Sequence, residues 1–163
     1  MRRKAFTLAA AGFALLTLSG CGFAPMYAEQ GLGTRLSQVE VDTPQTRTGY
    51  FLGQDLRQTL GSDATGGKPY ALKIEMTEQH YNIGYRVDDT STRSEITNNV
   101  NYVLTDTKTG KELYKDHFTS TVTYASSTSP FTGIVSQQNG QERQAQTIAD
   151  RIQGALAVYF HEH

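Results

Sequence analysis

The sequence contains no tryptophan and a single cysteine, Cys21, so an intrachain disulfide is excluded. It also lacks an excess of either charge. Fifteen Lys+Arg stand against 16 Asp+Glu, for a formal net charge of −1, which removes the basic surface that a partner such as nucleic acid would demand. With 163 residues there is room for one ordinary domain and not for two large ones. Signatures of catalysis are equally sparse. No G-x-S-x-G elbow is present, and no glycine loop follows a strand to cradle a phosphate, so Gly31-Leu32-Gly33 reads as tether glycine. Of the four histidines, His80, His117, His161 and His163, the last two flank Glu162 at the chain end, where nothing enforces a metal geometry. Asp88-Asp89 reads as a solvated turn. The chain is expected to be neither an enzyme nor a metal or cofactor carrier.

What is present begins with Arg2, Arg3 and Lys4 before an apolar run from Ala5 to Leu18. The run is shorter than the roughly 20 residues of a spanning helix, and it has the layout of an export signal. It ends in Leu18-Ser19-Gly20-Cys21, which resembles the lipobox cut by the lipoprotein signal peptidase just before a diacylated cysteine. Residues 1–20 are therefore expected to be removed and Cys21 to carry acyl chains, palmitate among them. Acylation also accounts for a lone thiol in an oxidising compartment. Gly22 stands where an aspartate would resemble an inner-membrane retention signal, so delivery to the inner leaflet of the outer membrane is expected. Arg2-Arg3 resembles a twin-arginine pair, but Phe6 sits one place late for that pattern. Loss of the leader leaves 12 basic against 16 acidic residues.

In the mature chain, residues 21–35 read as a lipidated tether and 36–163 as the domain. Leu36 to Val41 is β-branched enough for a first strand that Pro44 ends. Leu52, Leu56, Thr59 and Leu60 recur at helical spacing, with Thr46 or Thr48 as the cap and Gly61 as a left-handed stop. Tyr70, Leu72, Ile74 and Met76 then alternate on a strand. Beyond Gln79 the apolar positions become odd, Tyr81, Ile83, Tyr85 and Val87, which predicts a bulge or break near His80. After a polar connection over 88–94, a third strand carries Ile96, Val100, Tyr102 and Leu104 on one face. Asp106-Thr107-Lys108-Thr109-Gly110 is a hairpin signal, and the returning strand runs from about Lys111 to Tyr124. A loop is expected over 125–140. Ala145, Ile148, Ala149, Ile152, Ala155, Leu156 and Tyr159 then mark a long amphipathic helix. The sum is an α+β two-layer sandwich: a four-stranded mixed, mainly antiparallel sheet packed against two helices, with an outward sheet face of Thr, Asn, Gln and Ser. That face meets either solvent or another polar surface. Lys108, Lys111 and Lys115 cluster at the hairpin, where they serve either as phosphate contacts for an anionic lipid or as guards against edge aggregation.

One resemblance covers nearly all of the mature chain. Cys21-Gly22-Phe23-Ala24-Pro25-Met26-Tyr27 is similar to the Cys-Gly-Phe-x-Pro-Leu-Tyr opening of the LPS-assembly lipoprotein family, LptE, with Met26 in place of leucine. Arg47-Thr48-Gly49, Tyr102-Val103-Leu104 before Asp106 and Thr109-Gly110, and Ala149-Asp150-Arg151-Ile152 also resemble that family, in the right order. The resemblance implies a two-helix, four-stranded sandwich that plugs the LptD outer-membrane β-barrel, assists its assembly and contacts lipopolysaccharide during insertion into the outer leaflet. The other reading is a lipid-anchored adaptor of a different envelope lipid-transport machine.

Overall fold

The computed structural model describes residues 31–62, 67–85, 91–127 and 129–163. The leader, Cys21 and the motif after it, and Asp88-Asp89 lie outside the described residues. Within them the chain runs α1 (Leu32–Ser37), β1 (Val39–Asp42), α2 (Arg47–Leu60), β2 (Tyr70–Tyr85), β3 (Ser91–Asp106), β4 (Glu112–Ala125) and α3 (Pro130–Glu162). The strands form one sheet in the order β1-β2-β3-β4, with β1 parallel to β2 and the remaining pairs antiparallel. This is the expected mixed α+β sheet, with three helices instead of two.

Several boundaries differ from the expectation, each for a physical reason. Residues 32–37, read as tether and strand start, form α1, because Leu32 and Leu36 sit one turn apart and both bury. Strand β1 is correspondingly shorter, with Val39 and Val41 inward and Glu40 and Asp42 outward. Helix α2 behaves as its caps dictate. Thr46 accepts the Gly49 amide at 3.0 Å through its side chain, and Gly61 ends the helix at φ 65°.

No bulge interrupts β2 at His80. Its pairing with β3 keeps one register from Tyr70↔Asp106 to Ile83↔Arg93, so even-numbered residues face the helices throughout. What changes along β2 is the polarity of each face. Ser91–Ser94, expected in a connection, belong to β3. The hairpin forms as its sequence requires, with Gly110 at φ 69° and its amide donating to the Asp106 carbonyl at 2.8 Å. Residues 130–140, expected as loop, are the first turns of α3, a helix of 33 residues that extends about 50 Å at 1.5 Å per residue.

The register arranges the inner face of the sheet in rungs across three strands. Leu72-Leu104-Tyr114, Ile74-Tyr102-Asp116 and Met76-Val100-Phe118 are mostly apolar, whereas the next, Glu78-Asn98-Ser120, is wholly polar. Against the apolar rungs pack Leu52, Leu56 and Leu60 of α2 and Ile148, Ile152, Leu156 and Phe160 of α3, all buried. Burial of such side chains stabilises by about 1.5–3 kcal/mol each.

Candidate functional site

The outward face of the sheet is built by the odd-numbered residues of β2, β3 and β4. Register sets them in rows: Thr77-Asn99-Thr119, Gln79-Thr97-Thr121 and Tyr81-Glu95-Thr123. Thr119 donates to Asn99 Oδ1 at 2.9 Å, and the Thr97 and Thr121 hydroxyls lie 3.3 Å apart. Threonine suits this place twice over, since its branched Cβ favours the strand and its hydroxyl supplies a short, stiff donor and acceptor. Helices cover the other face, and most of these outward side chains are exposed. The two central rows offer hydrogen bonds without charge, while Lys73, Glu75 and Lys115 lie toward one end of the face and Arg93 and Glu95 toward the other; the centre fits a polar, water-accessible wall and not an apolar one.

The hairpin places Lys108 and Lys111 at the exposed tip and Lys115 on the exposed outward face of β4. Two of the three cations have an acid close by. Lys115 Nζ pairs with Glu112 Oε1 at 2.9 Å, and the same loop holds Asp106, whose carboxyl accepts the Lys108 and Thr109 amides at 2.9 and 2.8 Å. Those hydrogen bonds, chiefly from Thr109, hold the Asp106 carboxyl below the usual carboxylate range. The cluster is therefore closer to neutral than its lysines alone suggest.

Between the layers lies a polar network that sequence reasoning missed. Thr48 of α2 donates to Glu78 Oε2 at 2.6 Å, and Asn98 donates to the same oxygen at 3.2 Å. Gln141 of α3 donates to Glu78 Oε1 at 2.8 Å, and His80 Nε2 lies 2.8 Å from that atom. Gln144, almost fully buried, accepts from Asn98 at 3.0 Å and donates to the Ser120 carbonyl at 2.8 Å. Partial burial pushes the Glu78 carboxyl up, but the bonds from Thr48, Gln141, Asn98 and His80 outweigh it and leave the group below the usual range. A carboxylate so saturated with donors is a tie between α2, α3 and the sheet, without a lone pair free for acid-base work. Asn98 Oδ1 is the exception, buried with no partner among the described residues. A signal for part of the network existed, since Gln141 and Gln144 continue the three-and-four spacing of the Ala145, Ile148, Ala149 stripe.

The remaining titratable groups do not converge. His117 is exposed on β4, and His163 stacks on Tyr159 at 4.6 Å between ring centroids while its Nδ1 lies 3.1 Å from the Tyr159 carbonyl. Helix α3 extends through His161 and Glu162, so the chain end is more ordered than a frayed tail. Among the described residues, no group of three or more His, Cys, Asp or Glu gathers to hold a metal, and no helix is long and apolar enough to cross a membrane.

Neither protein-family models nor curated protein sequences yield a match. Solved structures do. A minor lipoprotein of Acinetobacter baumannii shares the fold at a TM-score of 0.55 and 14% identity, covering 74% of this chain and 88% of that one. Rare lipoprotein B of Shewanella oneidensis shares it at 0.57 and 12%, covering 77% and 97%. A candidate lipoprotein of Caulobacter crescentus is far nearer in sequence, at 33% identity and a TM-score of 0.71 over 81% of this chain and 96% of that one. With a third of the aligned residues shared across nearly the whole length of that protein, the chain belongs to the same lipoprotein family as the Caulobacter protein.

Proposed function

We propose that the chain is an outer-membrane lipoprotein of the LptE type, which plugs the LptD β-barrel and helps assemble it for lipopolysaccharide insertion into the outer leaflet. The observation that carries this reading is the outward sheet face, with its exposed rows of Thr, Asn and Gln. A membrane barrel is apolar outside and polar, water-filled inside, so a plug must replace water with matched hydrogen bonds while burying few charges. Charges across the centre of the face would lose too much hydration in such a lumen, and a wholly apolar face would find no apolar wall of matching extent. The motif run from Cys21 to Tyr27 and the fold shared with rare lipoprotein B support the same reading.

Acyl chains on Cys21 anchor the domain to the inner leaflet in this scheme, at about 0.8 kcal/mol per buried methylene. Cys21→Ala is expected to lose metabolic fatty-acid label and accumulate as precursor. Label retained on that variant would refute the lipobox assignment.

A photoactivatable side chain at Thr97 or Thr121 tests the plug itself in intact cells. The expected product is a covalent adduct with the barrel. Adducts with a component of another envelope transport machine, and none with the barrel, would replace this function with the adaptor reading.

A further inference from the structure

From Phe118 to Gln141 the sequence runs 24 residues without Asp, Glu, Lys, Arg or His, the longest such run beyond residue 28. The run includes the second half of β4 and the first turns of α3, which meet at one end of the domain. There a Cβ added at Gly140 would meet the Tyr124 side chain at ordinary van der Waals distance. Phe131 is 78% exposed, Ile134 55% and Val135 37%, at positions i, i+3 and i+4 of one helical face.

These side chains are not scattered surface residues. Phe131 stands in seven-residue phase with the buried Ala145 and Ile152, and Ile134 with the buried Gln141 and Ile148. The core-facing stripe of α3 thus continues past the part of the sheet that covers it. Beside it lies a shallow recess of about 350 Å³ lined by Ser94, Tyr124, Ser126, Pro130, Ile134 and Gln137.

We infer that this uncharged segment of β4 and α3 is the anchor by which the domain seats in its protein partner, in an apolar recess ringed by neutral hydrogen-bonding groups. The inference rests on the plug reading and adds which end of the domain engages and through which side chains. Charge decides the class of occupant. A helix that anchors to an anionic bilayer surface carries Lys and Arg around its apolar face, and none occurs in this run. Arg93, the basic residue paired opposite Ala125, points from the outward face of the sheet, away from α3. Around Phe131 and Ile134 the helix offers Ser129, Thr132, Ser136 and Asn139, groups that a protein pocket can match and that dehydrate at far lower cost than ions, and the nearest charges of α3, Glu142 and Arg143, come only beyond the run. Phenylalanine is among the aromatic residues enriched at protein–protein interfaces.

The test uses the full lipidated chain in cells that make the barrel. A photoactivatable residue at Phe131 or Ile134 is expected to form adducts with the barrel, as is one at Thr121. The double variant Phe131→Ser, Ile134→Ser is expected to reduce recovered barrel complex at least tenfold, with its melting temperature unchanged. Adducts from Thr121 alongside full complex recovery by the double variant would overturn the anchor and leave the plug standing. Absence of barrel adducts from Thr121 would remove the plug reading and the anchor with it. Two further results would also overturn the anchor: adducts from Phe131 that contain phospholipid in place of barrel, together with double-variant-sensitive flotation on phosphatidylethanolamine and phosphatidylglycerol vesicles, and a lowered melting temperature showing that the stripe is covered within the chain itself.

Discussion

Thr48, in the first turn of α2, donates its hydroxyl to Glu78 on β2 at 2.6 Å, and that short bond lies at the boundary between the apolar and polar parts of the interlayer packing. Helix α2 is held to the sheet on one side of this boundary by leucines and on the other by a carboxylate. The two kinds of attachment respond differently to substitution and to pH.

Glu78→Ala leaves the donors of Thr48, Asn98 and Gln141 without their acceptor inside the sandwich. An unsatisfied buried donor costs about 1–3 kcal/mol, so the variant is expected to lose roughly 2–4 kcal/mol after partial rehydration. The pH dependence has a definite sign. Because the folded-state pKa of Glu78 lies below its unfolded value of about 4.3, its contribution is fully present above that value and disappears as pH falls through the folded pKa. Urea melts from pH 7 to pH 3 should show an acid-side loss of stability that is smaller in Glu78→Ala. Equal pH slopes for the two proteins would refute this role.

Ile152 is fully buried on α3, whereas its neighbour Arg151 is exposed with its guanidinium 4.1 Å from the centre of the Phe118 ring. Ile152→Asp inserts an unpaired charge into the core and is expected to unfold the domain or cost several kcal/mol. Arg151→Ala removes one exposed cation–π contact, about 0.5–1 kcal/mol. Thermal melts by circular dichroism distinguish the two, and the reverse order would contradict the observed helix face.

Two helical glycines are expected to answer alanine in opposite ways. A Cβ at Gly49 would run into the Pro44 carbonyl oxygen, a backbone atom that cannot rotate aside, so Gly49→Ala should shift the start of α2 and lower the melting temperature. At Gly154 a Cβ meets nothing within 4 Å, and Gly154→Ala should stabilise by up to about 1 kcal/mol through helix propensity. A lower melting temperature for Gly154→Ala would show that α3 needs flexibility there.

Replacing Lys108, Lys111 and Lys115 together with Gln is expected to change folding stability little, since exposed ion pairs contribute roughly 0–1 kcal/mol. If the hairpin meets lipopolysaccharide phosphates, the wild type should bind the purified glycolipid less tightly as salt rises, with screening over about 8 Å at physiological ionic strength, and the triple variant should bind more weakly at low salt. Lys115 is expected to matter least of the three, being already paired with Glu112. Equal low-salt affinity for wild type and triple variant would remove the site.

Local chemistry was legible where a few neighbouring residues decide the outcome. Thr46 and Gly61 bracket α2, and Asp106 and Gly110 close the hairpin, because caps and turns are satisfied within four or five residues. The long-range features were not. The apolar pattern changes parity after Gln79 although the strand does not bulge, because the inner face becomes polar at Glu78 and His80 while Tyr81 and Ile83 occupy the outer one. An alternating strand ordinarily turns its apolar side chains inward, and here that relation reverses partway along β2. The first turns of α3 escaped for a related reason, since Ser, Thr and Gly dominate 126–133 and Phe131 and Ile134 are not buried by the domain itself. The outward face, by contrast, was readable as an alternation of Thr and Asn, and the lysine cluster was readable as a cluster while its pairing with Glu112 was not.

Helix α3 spans both kinds of packing, with its residues 145–160 in hydrocarbon contact and its first turns beyond the polar rung. Dispersion tolerates small displacements, but hydrogen bonds are directional and fail together once water enters. One continuous helix therefore joins a segment that opens only with global unfolding to a segment that opens locally, so amides of 131–139 should exchange with solvent far faster than those of 148–157. With that contrast in exchange, the domain would be a rigid base carrying a compliant nose, whose leading end gains its order only when a partner surface covers it.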